Sequence, residues 1–163
     1  KDLIDNILKK LDSLDDTNII FTSPNSDTGS DYIQKKIHMY VKKNSHSRFI
    51  ESAGRKLYLS LLKNAWCIIG NSSSCLIEAP YLNTPSILVG NRQTGRPISS
   101  SVLVSNHNYN SIMKAFKKLK DKRFINNMTK DIKYQPKKSL QKIVNILSTT
   151  DTSRILQKGF ADL

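Results

Sequence analysis

The stretch WCIIGNSSSCLIEAP, from Trp66 to Pro80, decides the fold of this chain. It opens on WCII, an apolar run that is typical of a strand buried on both faces of a sheet. The small polar residues that follow predict a tight turn, and the turn leads into a short helix that Pro80 helps to close. A buried strand that turns directly into a helix is the first half of a strand–helix–strand unit.

The same alternation continues on both sides of this stretch. Short apolar runs predict further strands at Asn18–Ser23, Arg48–Glu51, Pro85–Val89 and Val102–Val104. Apolar residues three and four positions apart predict helices over 2–14, 32–41, 56–64, 109–119 and 137–147, with a last short surface helix at Asp151–Phe160. Such alternation is typical of an α/β fold, so we expect a Rossmann-like, doubly wound parallel sheet.

Length and charge narrow the class of protein. The 163 residues suit a single α/β domain over 1–163, in which 123–163 form a lysine-rich helical tail. The 26 Lys and Arg against 13 Asp and Glu give a net charge of +13, which favours anionic partners. No apolar run reaches the about 18–20 residues of a membrane span, so we expect no membrane partner. The chain begins with Lys1 rather than Met, which predicts a piece of a longer protein.

Cysteine and histidine content argues against a disulfide framework and a metal site. Cys67 and Cys75 lie in or beside apolar segments, which favours reduced thiols in a cytoplasmic protein. His38, His46 and His107 lack the spacing of metal ligands, so we expect no metal. Because Cys75 has no evident histidine or aspartate partner nearby in the sequence, a role as a nucleophile is disfavoured.

Three loops follow predicted strands and carry glycine with small polar residues: PNSDTGS at 24–30, GNSSS at 70–74 and GNRQTGR at 90–96. In an open parallel sheet, ligands bind beyond the carboxyl ends of the strands, so we expect these loops to meet at one site. Asn25 and Asp27 suit turn and helix-cap chemistry, and Asn25 also suits a hydrogen bond to a ligand.

The GNSSS loop suits a phosphate. Glycine lets the backbone approach a ligand closely, and the first N–H groups of a helix are unpaired at its positive end. Ser72 and Ser73 therefore favour an anion site, although a well-capped helix without a ligand explains the same residues. Glu78 lies six positions beyond Ser72, which is about 9 Å along a regular helix. Its carboxylate suits two ribose hydroxyls. The alternative is a solvated glutamate, or one in the first turn of a helix that favours the helix dipole.

Arg92 and Arg96 add positive charge to the loop after the fourth strand. Their planar guanidinium groups suit phosphate oxygens, and a merely basic surface loop is the alternative. A nucleoside diphosphate explains both the serines and the glutamate.

The segments FTSPNSDTGS, RKLYLSLLKNAWCIIGNSSSCLIEAP and VGNRQTGR, at this spacing, resemble the hydrolysing UDP-N-acetylglucosamine 2-epimerases of the type that feeds sialic acid synthesis. The resemblance runs from about Ile19 to Val104, and the final residues ILQKGFADL are similar to the tail of that family. It implies the C-terminal half of a two-domain glycosyltransferase-B fold, with a missing N-terminal catalytic half as partner and a homodimer for the whole protein.

The resemblance also implies site residues and a reaction. By resemblance, Ser72 and Ser73 would bind the diphosphate, and Arg92 would lie on the phosphate side of the site. Glu78 would bind the ribose hydroxyls, and Asn25 would face the nucleotide or the sugar. The backbone of Ala53 would contact the uracil ring. The family reaction releases UDP from UDP-N-acetylglucosamine and forms N-acetylmannosamine by elimination and hydration, without a metal or redox cofactor. Its acid and base groups lie mainly in the N-terminal half, with a histidine before Lys1. We therefore expect no catalytic residue here, and this chain alone to bind nucleotide weakly and turn over nothing.

Two departures from the family pattern keep other functions open. Cys75 stands where the family usually has glycine and is expected to crowd the loop, and KYQPKKS at 133–139 replaces a small-residue segment that approaches the sugar. Another GDP- or UDP-linked sugar, the donor domain of a glycosyltransferase and a non-enzymatic basic module remain alternatives. The RQTGR motif disfavours the glycosyltransferase. The 7% aromatic content disfavours a nucleic-acid surface, so we expect no nucleic-acid partner.

Overall fold

A computed structural model describes residues 2–14, 16–25, 27–135 and 138–153. Its elements run in the order α1 (Asp2–Leu11), β1 (Ile19–Thr22), α2 (Ser30–Lys43), β2 (Ser47–Ile50), α3 (Gly54–Asn64), β3 (Ile68–Gly70), a 3-10 turn (Ser73–Cys75), α4 (Glu78–Tyr81), β4 (Ser86–Val89), β5 (Val102–Ser105), α5 (Tyr109–Lys118), α6 (Lys122–Asn127) and α7 (Ser139–Thr149). Most of the helix predicted at Asp151–Phe160 and the ILQKGFADL tail lie outside the described residues.

All strand pairs are parallel, which confirms the predicted α/β class with parallel strands. One ladder joins β1 to β2, and another has the order β3–β4–β5. The expectation of a single continuous sheet was wrong, because no hydrogen-bonded ladder joins β1–β2 to β3–β4–β5 among the described residues. The three-residue strand β3 pairs with β4 alone. The two ladders still share one core, in which Ile19 packs in the same cluster as Ile87 and Leu103.

Side chains cover both faces of the three-stranded ladder, as a doubly wound sheet requires. Strand β4 is buried along its whole length. Ile87 and Val89 lie in the main core with residues of α1, α2 and α5, whereas Leu88 belongs to a second cluster with Cys75 and Leu76. This alternation follows from the two-residue period of a strand. It sets the 3-10 turn and α4 against the face opposite α1 and α5.

Two details of the central stretch differ from the prediction. Trp66 precedes β3 rather than belonging to it, and its ring is 44% exposed and lies 6.1 Å from that of Phe116. Pro80 lies inside α4, where the first-turn N–H groups have no intrahelical partner and proline is tolerated. Asn83 ends the helix instead, since its φ of 59° is left-handed and the Thr84 N–H donates to the Ala79 carbonyl at 2.8 Å.

The tail after residue 122 divides into a packed part and an exposed part. Phe124 of α6 is buried in the main core. In contrast, α7 buries none of its residues, and Leu140 and Leu147 are 70% and 72% exposed. Within the described residues, no helix combines the length and the apolar character needed to cross a membrane.

Candidate functional site

Side-chain contacts join the three polar loops at the carboxyl edge of the strands. An Arg92 guanidinium nitrogen lies 2.9 Å from the Asp27 carboxylate, which links the loops after β4 and β1. The Gln93 amide donates to the Asn71 carbonyl at 3.0 Å and so links the loops after β4 and β3. The convergence predicted from strand order is therefore present in the fold.

The loop from Gly70 to Cys75, which we call the serine loop, begins a one-turn 3-10 helix. The Ser72 hydroxyl oxygen accepts a hydrogen bond from the Ser74 N–H at 3.3 Å, so Ser72 caps this turn. The chain then passes through Leu76 and Ile77 before α4 begins at Glu78. The regular helix assumed between Ser72 and Glu78 was therefore wrong, and one turn supplies only a small helix dipole.

Free polar groups remain on the outer side of the serine loop. Ser72 is exposed and Ser73 is half-buried. Among the described residues, neither backbone N–H has a hydrogen-bond acceptor. The serine loop thus offers two free N–H groups and two hydroxyls. These groups can donate hydrogen bonds to phosphate oxygens.

The inner side of the serine loop is held by Tyr58 of α3. The Tyr58 hydroxyl and the buried Ser74 hydroxyl lie 2.5 Å apart. Burial raises the pKa of Tyr58, so the phenol stays neutral and able to donate. Tyr58 and Gln93 thus fix the loop from two directions, which restricts the positions that Ser72 and Ser73 adopt.

Glu78 carries an unsatisfied buried oxygen at the first residue of α4. Its Oε2 atom is shielded from water and has no hydrogen-bond partner among the described residues. A carboxylate oxygen in that state costs free energy unless a donor approaches it. Of the two alternatives considered from the sequence, a glutamate in the first turn of a helix is what the fold contains, whereas a fully solvated glutamate is not.

The remaining predicted site residues lie around the serine loop at different depths. Arg92 is exposed and paired with Asp27, while Arg96 is exposed on the same loop. Asn25 is exposed in the loop after β1 and lines neither of the cavities described below. Asp27 was expected as a helix cap, but Gly29 occupies that position and the carboxylate of Asp27 pairs with Arg92 instead.

Ala53 lines a cavity of about 300 Å³ together with Thr22, Ser23, Glu51, Gly54, Arg55 and Tyr58. Tyr58 is common to this cavity and to the bracing of the serine loop. A ligand on the serine loop therefore has an adjoining recess that leads towards the end of β2.

A larger cavity of about 580 Å³ opens on the other side of Glu51. It is lined by the loop after β1 and the start of α2, and its walls include the carboxylates of Asp27 and Asp31. Within the part of the chain that the structure describes, no group of three His, Cys, Asp or Glu side chains is arranged to hold a metal ion.

Cys75 fits the loop without crowding it, contrary to the expectation from the sequence. It is fully buried in the second cluster, beside Leu76 and Leu88. Burial raises the pKa of its thiol to about 12, so thiolate chemistry at neutral pH is disfavoured. Tyr134, from the KYQPKKS segment, packs against the same cluster, whereas Pro136 and Lys137 lie outside the described residues.

Three functional candidates escaped the sequence reasoning: Glu51, Tyr58 and Gln93. Tyr58 looks like one more residue of a helical stripe, and only its contact with Ser74 distinguishes it. Gln93 lies inside the RQTGR motif, which gave a signal for the loop but not for this side chain. The sequence assigned Glu51 to a strand. Its position beside two cavities arises because the carboxyl ends of β1 and β2 lie side by side in the fold.

Comparisons with known proteins show what this chain is similar to. A family model described as UDP-N-acetylglucosamine 2-epimerase matches residues 2–148. A GDP/UDP-N,N'-diacetylbacillosamine 2-epimerase (hydrolyzing) from Campylobacter jejuni is 38% identical across 98% of this chain and 42% of its own length. The polysialic acid biosynthesis protein P7 of Escherichia coli is 37% identical over 76% of this chain and 32% of its own length.

A UDP-N-acetylglucosamine 2-epimerase from Neisseria meningitidis is 36% identical over 60% of this chain. The chain spans about two fifths of the length of the Campylobacter relative and matches the C-terminal part of the proteins to which it is similar. With the family model matched over almost its whole length, this chain belongs to the UDP-N-acetylglucosamine 2-epimerase family.

Proposed function

We propose that this chain is the nucleotide-binding part of a hydrolysing sugar-nucleotide 2-epimerase with a two-domain glycosyltransferase-B fold. The observation that carries the proposal is the buried, unpartnered Oε2 of Glu78 beside a serine loop with free N–H groups. A ribose hydroxyl supplies the donor that Glu78 lacks, and a diphosphate supplies the acceptors that the loop lacks.

The nucleotide lies across the carboxyl edge of the strands. The N–H groups and hydroxyls of Ser72 and Ser73 hold the diphosphate, and Arg92 exchanges its exposed pairing with Asp27 for a phosphate oxygen. Glu78 holds the ribose, and the base enters the recess beside Ala53. Asn25 faces the sugar side of the ligand. The exposure of Ser72 and Arg92 supports this arrangement, since both are accessible to an incoming anion.

This binding mode assists the reaction through the leaving group. When the bond between the sugar C1 and the diphosphate oxygen breaks, negative charge develops on the terminal phosphate. Fixed N–H donors and a guanidinium stabilise that charge without having to reorganise, so they lower the free energy of the transition state. Tyr58 and Gln93 hold the donors in place. The acid and base that act on the sugar come from the rest of a longer, homodimeric protein.

UDP-N-acetylglucosamine is the substrate implied by the family, with N-acetylmannosamine and UDP as products. A diacetylated sugar on GDP or UDP is the second candidate. It is favoured by the Campylobacter relative, which carries that activity in its name and aligns with 98% of this chain.

Calorimetric titration with UDP, GDP and a duplex DNA tests the proposal. We expect UDP or GDP to bind and Glu78→Ala to weaken that binding, while Asp16→Asn, at the opposite edge of the strands, leaves it unchanged. Tight, salt-sensitive DNA binding that ignores Glu78→Ala would instead favour a basic binding module. A coupled assay of UDP release from the chain alone should show no turnover, and sustained turnover would contradict the division of labour between the two halves.

A further inference from the structure

Glu51 is an unpaired negative charge in a strongly basic chain. It follows the last residue of β2, is exposed, and forms no hydrogen bond or ion pair with any other residue that the structure describes. It is one of two glutamates in a sequence of net charge +13. Its side chain lines both cavities at the carboxyl edge of β1 and β2.

The smaller of these cavities adjoins the ribose end of the proposed nucleotide site. Tyr58 lines it, and the phenol of Tyr58 interacts with Ser74 of the serine loop and electrostatically with Glu78. A base attached to a ribose on Glu78 therefore extends towards the cavity wall that Glu51 forms.

The backbone on the same wall borders open space at Gly54. Gly54 has a φ of 61°, and no atom lies within 4 Å of the position that a Cβ would take there. Arg55 follows it and is exposed at the cavity rim. The wall thus offers one carboxylate acceptor and one guanidinium donor beside open space.

We propose that Glu51 reads the base and selects guanine over uracil; this inference rests on the proposed function. Guanine presents two adjacent N–H donors, N1–H and N2–H, which match the two oxygens of one carboxylate, and its O6 acceptor suits the Arg55 guanidinium. Uracil presents a single N3–H between two carbonyl oxygens, and a carboxylate repels both of them. The uridine implied by the family resemblance is therefore the less favoured ligand.

Dissociation constants for GDP, IDP and UDP at one fixed salt concentration test this inference. IDP is GDP without the N2 amino group and so removes one of the two donors. We expect GDP to bind about 10- to 100-fold more tightly than UDP, as charge-assisted hydrogen bonds predict, with IDP between them. In Glu51→Ala, GDP and IDP should bind equally and the preference over UDP should fall to within about threefold.

Asp31→Ala is the matched control, because Asp31 lines the larger cavity with Glu51 but not the smaller one. It should keep the guanine preference of the unaltered chain, and thermal unfolding should show that Glu51→Ala folds as the unaltered chain does. A UDP affinity equal to or above that for GDP, or a guanine preference that survives Glu51→Ala, overturns the inference. If GDP and UDP bind equally and both depend on Glu78, the inference alone fails. If neither binds, the proposed function fails with it.

Discussion

Replacing Glu78 by alanine should show whether Glu78 is a ligand residue or a structural residue. The two roles predict different changes in the free energy of unfolding and in nucleotide affinity. In a structural role, a buried carboxylate has partners, and its removal destabilises the fold. Here Oε2 has no partner among the described residues, so its removal also removes a desolvation cost of about 1–3 kcal/mol. The loss of the half-buried Cγ methylene group costs only about 0.4 kcal/mol in return.

The free energy of unfolding without ligand should therefore stay level or rise, by up to about 2.5 kcal/mol. Nucleotide affinity should respond differently. Hydrogen bonds to a charged group contribute about 1.5–3 kcal/mol, so the dissociation constant for GDP or UDP should rise about 10- to 150-fold.

Urea denaturation and calorimetric titration of the same preparations measure the two quantities. Asp16→Asn serves as the control for removal of one negative charge. If Glu78→Ala lowered the free energy of unfolding by more than about 2 kcal/mol and left nucleotide affinity unchanged, Glu78 would be a structural residue and the reasoning would be refuted.

Further predictions concern the loop glycines, the buried thiol and the exposed arginine. Gly90→Ala should destabilise the fold by about 1–2 kcal/mol, because φ is +86° and the exposed His107 ring must move away from the new Cβ. Gly95→Ala, with φ of +84° and open space, should cost about 1 kcal/mol, and a lower urea midpoint for Gly95→Ala than for Gly90→Ala would contradict this. Folding raises the pKa of the Cys75 thiol from 9.0 to about 12, so the stability that this thiol contributes is complete below pH 9 and is lost as pH rises towards 12. Between pH 8 and 11, the urea midpoint should therefore fall less steeply with pH in Cys75→Ala than in the unaltered chain. An equal fall in both proteins would contradict the raised pKa. Arg92→Ala should weaken diphosphate binding about tenfold or more. It should change the free energy of unfolding by less than about 1 kcal/mol, because the ion pair of Arg92 with Asp27 is exposed. A loss of stability with unchanged affinity in the titration would show that Arg92 is a structural residue and not a ligand residue.

Local patterns predicted most elements of the fold, although α6 was foreseen only as part of a helical tail. Strand β4 reads as an unbroken apolar run because it is buried on both faces, and its predicted position at Pro85–Val89 matches Ser86–Val89. The convergence of the three loops also follows from the sequence, because parallel strands bring their carboxyl ends to one edge.

What the sequence could not supply was the geometry between those elements. The path from Ser72 to Glu78 was predicted as one regular helix, but it is a 3-10 turn, a bend and a four-residue helix. The contact of Tyr58 with Ser74 joins residues 16 positions apart, and no periodicity encodes it. The orphaned Oε2 of Glu78 likewise depends on packing around α4, which local propensity does not determine.

A nucleoside diphosphate is expected to occupy the carboxyl edge of the strands. Amide chemical-shift mapping of the isotope-labelled chain during titration with GDP or UDP tests it most directly. We expect the largest shifts in the serine loop, in residues 51–55 and in residues 90–93. Largest shifts in α7 or across the lysine-rich surface, with the amides of Ser72 and Ser73 unmoved, would contradict it.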